Sequence, residues 1–352
     1  MLTCSPRRLN HTWTIAPGDI QGETGTCGIE VSYHASPWEL SWLNTIQALQ
    51  SDDFLWTKGC EEMRDARWKV DHWLAYWKYV HRNPSESLGD GWDPEIFSYH
   101  QFTDTCTNRE LKKIPIEPLV GTLRHPLAVC DATVRRDMLG RPRRDSRARV
   151  NKEYMIETRR REFLESQGNS SYTKGGRSLF FDIGASTYHD GKGGPSLSWF
   201  IDTYHQAGFD FDRVLGWEAR KLEAFEIFEG MPFNLLKTIS YFNLPVESDS
   251  DSDMNPWRYI RSLARREDFV VVKLDIDTPA VEIELMRQIL FDEPDSNSPL
   301  SELIDELYFE HHVWGSAITP DWTIERLDGD MKGSYSLFAA LRLLGIRAHS
   351  WV

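Results

Sequence analysis

The chain has 352 residues, enough for one large domain or two ordinary ones, and its 40% hydrophobic and 27% charged residues are those of a globular protein rather than a disordered one. Its net charge of -14 argues against a general nucleic-acid binder, because phosphate contacts need clustered Lys and Arg. No apolar run approaches the roughly 18 residues that span a bilayer, and the opening MLTCSPRRLNHTW lacks the apolar stretch of a secretory signal. A soluble protein, cytoplasmic by default and without a transmembrane segment, is the expectation.

Residues 1 to about 130 hold eight of the fourteen tryptophans and show no alternation of strands and helices. One helix is legible: Val70, Trp73, Leu74 and Trp77 fall at i, i+3, i+4 and i+7, an apolar stripe that belongs in a core. Pro115, Pro118, Gly121 and Pro126 interrupt the pattern further on, so loops and short elements are expected there. The five cysteines (Cys4, Cys27, Cys60, Cys106, Cys130) are odd in number and form no CxxC pair. Reduced thiols are the default and structural zinc is not expected, although their confinement to this region leaves disulfides open. The tripeptides Asn10-His11-Thr12 and Asn169-Ser170-Ser171 matter as glycosylation sites only in a secretory compartment. A basic stretch from Arg135 to Arg161, with Arg141, Arg143, Arg144, Arg147 and Arg149, reads as a solvated linker. Residues 1–150 are therefore an accessory or cap region, mostly helical or irregular, with that linker at its end.

Residues 151–352 read differently. Arg177 to Gly184 is a short apolar run ending in an acid and a glycine, as a buried parallel strand does. Leu197, Phe200, Ile201 and Tyr204 repeat at helical spacing. A second strand spans Arg213 to Glu218, a helix runs through Phe225 and Phe228, and Leu235 to Asn243 is a third strand. Glu247 to Asp253 reads as an exposed acidic loop. Pro256 opens a helix to Arg266, and the strongest strand follows, Phe269 to Asp277. Thr278 suits an N-cap and Pro279 the first position of a helix carrying Val281, Leu285 and Ile289. Ile304 to His312 is a fifth strand. A helix with Leu337, Phe338, Leu341 and Leu344 stops at Gly345, and Ile346 to Val352 closes the chain as a strand.

Alternating strands and helices predict an α/β fold of Rossmann type, a mainly parallel twisted sheet with helices on both faces. Ligands bind such sheets at the carboxyl ends of the strands, where strand order reverses. A glycine after the first strand lets the backbone turn sharply and approach a ligand. An acid at the end of the second strand accepts hydrogen bonds from both hydroxyls of a ribose. Asp182 with Gly184, Ala185 and Ser186, and then Glu218, fill those places.

Asp182-Ile-Gly184-Ala185 with Glu218, then Leu274-Asp275-Ile-Asp277 and Phe309-Glu310-His311, resembles S-adenosylmethionine-dependent methyltransferases, and within them the FkbM-like branch. The resemblance covers about residues 177 to 352. It implies a methyltransferase fold with S-adenosylmethionine as cofactor: Asp182 and Gly184 along its methionine part, Glu218 on the ribose, Asp275 near the transferred methyl. It also implies a small-molecule or glycan acceptor, O-methylation being expected. Two departures from the family pattern are visible. Ser-Thr-Tyr-His-Asp-Gly-Lys-Gly-Gly follows Ala185 where the family turns tightly, and Asp277-Thr278-Pro279 replaces a Glu-Gly.

Removal of a hydroxyl proton requires a base beside the acceptor. Asp277, His311 and His312 are the candidates. In an extended strand Asp275 and Asp277 share one side, as do Glu310 and His312, with His311 opposite. Two other readings compete. Asp275-Ile-Asp277 with His311 or His312 makes a divalent-metal site, as in a DxD glycosyltransferase or a metal-assisted methyl transfer. Alternatively the chain is a non-catalytic relative that binds a partner through its aromatic N-terminal half.

Overall fold

The computed structural model describes residues 28–48, 52–83, 88, 91–123, 126, 130, 154–166, 176–188, 196–292, 299–313 and 329–351. Both sequons, the arginines from Arg135 to Arg149, Cys4, Cys27 and most of the insertion after Ala185 lie outside these residues.

The first part consists of β1 (Ile29–His34), α1 (Pro37–Ala48), α2 (Asp52–Asp65), α3 (Arg67–Arg82), β2 (Ser98–Asp104) and β3 (Arg109–Ile116). The predicted helix is α3, which buries Val70, Trp73, Tyr76 and Val80. Beside the helices stands an antiparallel sheet that the sequence pattern does not predict, in the order β1-β2-β3. Its pattern was hidden because polar residues occupy inward positions of β2. Ser98 and His100 are fully buried, Ser98 Oγ donating to Glu39 at 2.7 Å and His100 Nε2 lying 3.1 Å from the Arg342 carbonyl. Hydrogen bonding removes the penalty that keeps such side chains out of cores. The default of reduced thiols is corrected: Cys60 and Cys130 form a disulfide, and Cys106 is also disulfide-bonded.

The second part follows as α4 (Arg160–Ser166), β4 (Ser178–Ile183), α5 (Ser196–Gln206), β5 (Arg213–Trp217), α6 (Ala224–Phe228), α7 (Phe233–Leu236), β6 (Ile239–Phe242), α8 (Pro256–Leu263), β7 (Phe269–Leu274), α9 (Pro279–Leu290), α10 (Leu300–Leu303), β8 (Glu306–Phe309), α11 (Met331–Leu343) and β9 (Arg347–Ser350). The third strand is shorter than expected because α7 takes Phe233–Leu236 first. Six parallel strands pair in the order β6-β5-β4-β7-β8-β9, which is the doubly wound Rossmann-like order. Consecutive residues of a strand face opposite ways, and Phe180 and Phe181 use this. Phe180 packs on Phe200 of α5 at 4.7 Å, while Phe181 stacks toward Trp217, itself against Tyr259 of α8. Every residue of β4 and β7 is buried, as expected of central strands covered on both faces.

At the amino edge, three aspartates each precede a strand and cap a neighbour. Asp212, Asp268 and Asp305 accept the N–H groups of Ser178, Arg177 and Val270 at 2.7–2.8 Å. Gly345 ends α11 with φ +91°, a conformation open to a residue without a side chain.

The two parts share one hydrophobic core, running from Trp42 and Trp73 through Phe309 to Trp351. A buried polar seam joins them. Trp42 Nε1 donates to Tyr335 of α11 at 2.7 Å, and Arg342, fully buried, donates to the Glu117 carboxylate at 3.0 Å. His349 lies between Glu117 and Glu306, its ring nitrogens 2.8 Å from each. Burial alone lowers a histidine pKa, but these carboxylates outweigh it and hold His349 above its ordinary value. Arg159, at the end of the expected solvated stretch, is instead buried and donates to the carbonyls of Val80 and Asn83.

Candidate functional site at the carboxyl rim of the sheet

Strand register builds the site. Ile183, Trp217, Leu274 and Phe309 stand level across β4, β5, β7 and β8. The next residues, Gly184, Glu218, Asp275 and Glu310, therefore form a row one step beyond the sheet. Their backbone N–H groups continue the ladder, donating to Trp217, Phe242, Ile183 and Leu274 at 2.9–3.1 Å. Strand order reverses between β4 and β7, so Gly184 and Asp275 face one another at the switch point, with Glu218 one strand away.

Gly184 has φ +93°, and a Cβ there would collide with the Asp275 carbonyl. The glycine thus lets the two turns pack together. Ala185 is buried against β5, and Ser186 adopts φ +52°, its carbonyl accepting the Tyr241 hydroxyl. Glu218 Oε1 accepts the Arg220 N–H at 2.6 Å, while the Asn243 amide holds the Glu218 carbonyl at 2.9 Å.

Lys273 organises the rim from below. It is buried, with its ammonium 3.5 Å from Asp182, 3.2 Å from Asp275 and donating to the Gly184 carbonyl at 2.6 Å. Burial opposes the charged form, yet Asp275 and Asp182 outweigh it and raise the Lys273 pKa. Asp182 is fully buried, bound by Ser196 as well, and desolvation raises its pKa despite Lys273. For Asp275 desolvation loses to Lys273, and the carboxyl stays below its usual range. Trp351, the residue after the last strand, donates its Nε1–H to Asp275 at 3.2 Å. Asp182 therefore serves as a counter-charge beneath the rim, while Glu218 and Asp275 stand at its surface.

Strand β7 ends at Leu274 and β8 at Phe309, so Asp275–Asp277 and Glu310–His312 lie on loops rather than on the longer strands expected. The loops still bring the groups together. His312 Nε2 is 3.2 Å from Glu310 and 3.9 Å from Asp277. One oxygen or nitrogen from each of Asp275, Asp277, Glu310 and His312 falls within 4.8 Å of the others. His311 goes elsewhere, its Nδ1 3.0 Å from Ser334 at the start of α11. Asp277 is exposed and has φ +56°, and partial burial together with Asp275 raises its pKa. Burial opposes protonation of His312, but Glu310 outweighs it and raises that pKa. Thr278 stands at the N-cap position of α9 without a side-chain cap, its hydroxyl donating to the Ile276 carbonyl.

Lys273, Ser196, Tyr241, Glu282 and Trp351 escaped sequence reasoning. Only Lys273 left a signal, a charge inside the apolar run Phe269–Leu274, where an unpaired ammonium is not tolerated. No known protein family, curated protein or solved structure matches this chain. Its class rests on architecture alone: an α/β protein with a Rossmann-like parallel sheet.

Proposed function

We propose that the protein is an S-adenosylmethionine-dependent methyltransferase that methylates a hydroxyl of a small-molecule or glycan-type acceptor. The observation that carries this reading is the row Glu218, Gly184, Asp275, Glu310 across the switch point of a doubly wound sheet. The rim is rich in acceptors and anionic, and its central cation, Lys273, is already tied to two carboxylates. Such a surface repels a diphosphate and favours a cationic nucleoside whose ribose hydroxyls and ammonium group donate hydrogen bonds.

The cofactor supplies a methyl group on a positively charged sulfur. Glu218 holds the ribose hydroxyls, oriented by the Arg220 N–H. Asp275, fixed by Lys273 and Trp351, would stand nearest the transferred methyl. Asp277 takes the acceptor proton, since it is the exposed carboxylate of the loop and its raised pKa makes it a better base than an ordinary aspartate. His312 stands behind it as a proton relay.

The test is calorimetric titration of the full chain with S-adenosylmethionine and S-adenosylhomocysteine. Glu218→Gln removes a charge-assisted hydrogen bond worth about 1.5–3 kcal/mol, so affinity falls roughly 10- to 100-fold. Absence of binding to the wild-type protein at millimolar cofactor refutes the proposal.

A further inference from the structure

We infer that Asp275, Asp277, Glu310 and His312 form a binding site for one divalent cation of the Mn2+ class, built by the loops that follow β7 and β8. The site shares Asp275, Asp277 and His312 with the methyl-donor reading; with a cation bound they act as its ligands, Asp277 and His312 no longer as base and relay, and the test uses the cation alone.

Geometry comes first. Asp275 and Glu310 are the first residues beyond two paired strands, and Asp277 and His312 lie two residues further along each loop. The loops run side by side, and their four ligand atoms all lie within 4.8 Å of one another. Around a six-coordinate ion with bonds of about 2.2 Å, ligand atoms stand about 3 Å apart when adjacent and about 4.4 Å apart when opposite. The cluster therefore has the size of a coordination sphere, and small side-chain rotations complete it.

A second observation comes from beneath the loop. Glu282 of α9 is buried, and its Oε1 accepts the N–H of Ile276, the residue between the two aspartates, at 2.8 Å. Its other oxygen is buried and has no hydrogen-bond partner among the described residues. Desolvation raises the Glu282 carboxyl pKa to about 8, and the charged neighbours acting on it are His312, Asp275 and Glu310. A buried carboxyl oxygen without a partner is costly, and a cation bound beside it favours the ionised form and supplies the missing positive partner.

The donor set selects the ion. Three carboxylates and one imidazole suit Mn2+, whereas Mg2+ and Ca2+ prefer oxygen alone and structural Zn2+ prefers sulfur and nitrogen. Four protein ligands leave about two of six positions for water or a substrate oxygen. They open on the side of Asp277, the exposed member at 71% side-chain accessibility.

The experiment is titration of the chelator-treated full chain with MnCl2 alone, followed by electron paramagnetic resonance and calorimetry. Saturation at one Mn2+ per chain is expected. Asp277→Asn, at an exposed position that does not threaten folding, weakens binding at least about tenfold, and Glu282→Gln weakens it by roughly tenfold. Glu284→Gln, an exposed acid on the same helix, leaves it unchanged. Lack of saturable binding at millimolar Mn2+, or equal affinity in Asp277→Asn, overturns the site. Tighter binding of Mg2+ or Ca2+ than of Mn2+ overturns the assignment of the ion. Binding of Mn2+ without any binding of S-adenosylmethionine supports the cation site while removing the methyl-donor reading.

Discussion

Replacing Lys273 by Met tests whether one buried ammonium holds the rim together. The side chain has only 2% exposure and spans two carboxylates, Asp182 at 3.5 Å and Asp275 at 3.2 Å. Met keeps the apolar stem packed, so the change removes chiefly the charge and the hydrogen bond to the Gly184 carbonyl. Asp182, fully buried, is then left without its counter-charge. Breaking a buried pair on one side costs about 3–5 kcal/mol. At about 2 °C per kcal/mol for a chain of this size, Tm falls by about 6–10 °C. Urea unfolding and thermal melts of wild type, Lys273→Met, Asp182→Asn and the double variant make a cycle. The double variant should recover at least about 1 kcal/mol relative to the sum of the singles, because the stranded charge is gone. A single variant within about 1 kcal/mol of wild type, or strict additivity in the double, refutes the clamp.

Two further predictions concern stability. Desolvation raises the Asp305 carboxyl to about 8, against about 3.9 in an unfolded chain, so its contribution is complete below the unfolded value and is lost as pH rises through the folded one. Asp305→Asn keeps an acceptor for the Val270 N–H and should gain at least about 1.4 kcal/mol at pH 8.5 relative to pH 5, one pKa unit being worth that much. Urea midpoints that move in parallel with wild type across that range would falsify the assignment. The Cys60–Cys130 disulfide closes a separation of 70 residues, which chain entropy makes worth about 4 kcal/mol. Cys60→Ser with Cys130→Ser should lower Tm by about 8 °C at about 2 °C per kcal/mol, and a melt unchanged within a degree or so excludes that contribution.

The longer strands and helices of residues 177–351 were legible because their signals are local, whereas the short α7 and α10 were not. Apolar runs such as Phe269–Leu274, helical repeats such as Leu197, Phe200 and Tyr204, and the stop at Gly345 each depend on neighbours along the chain. Alternation then implied a parallel sheet, and with it the rim that carries Gly184, Glu218 and Asp275. The N-terminal sheet was not legible. Ser98 and His100 read as surface residues until Glu39 and the Arg342 carbonyl, the latter 242 positions away, meet them.

The same division holds at the site. That polar groups follow each apolar run is visible in the sequence, although β7 and β8 end at Leu274 and Phe309 rather than at the expected Asp277 and His312. Which of them touch is not visible there, because contact depends on strand order and register, and these are long-range properties. Only the folded chain placed Lys273 between Asp182 and Asp275, sent His311 to Ser334 and left His312 with Glu310 and Asp277. Local patterning chose the elements. Burial, which couples charges that are far apart in the chain, chose their partners.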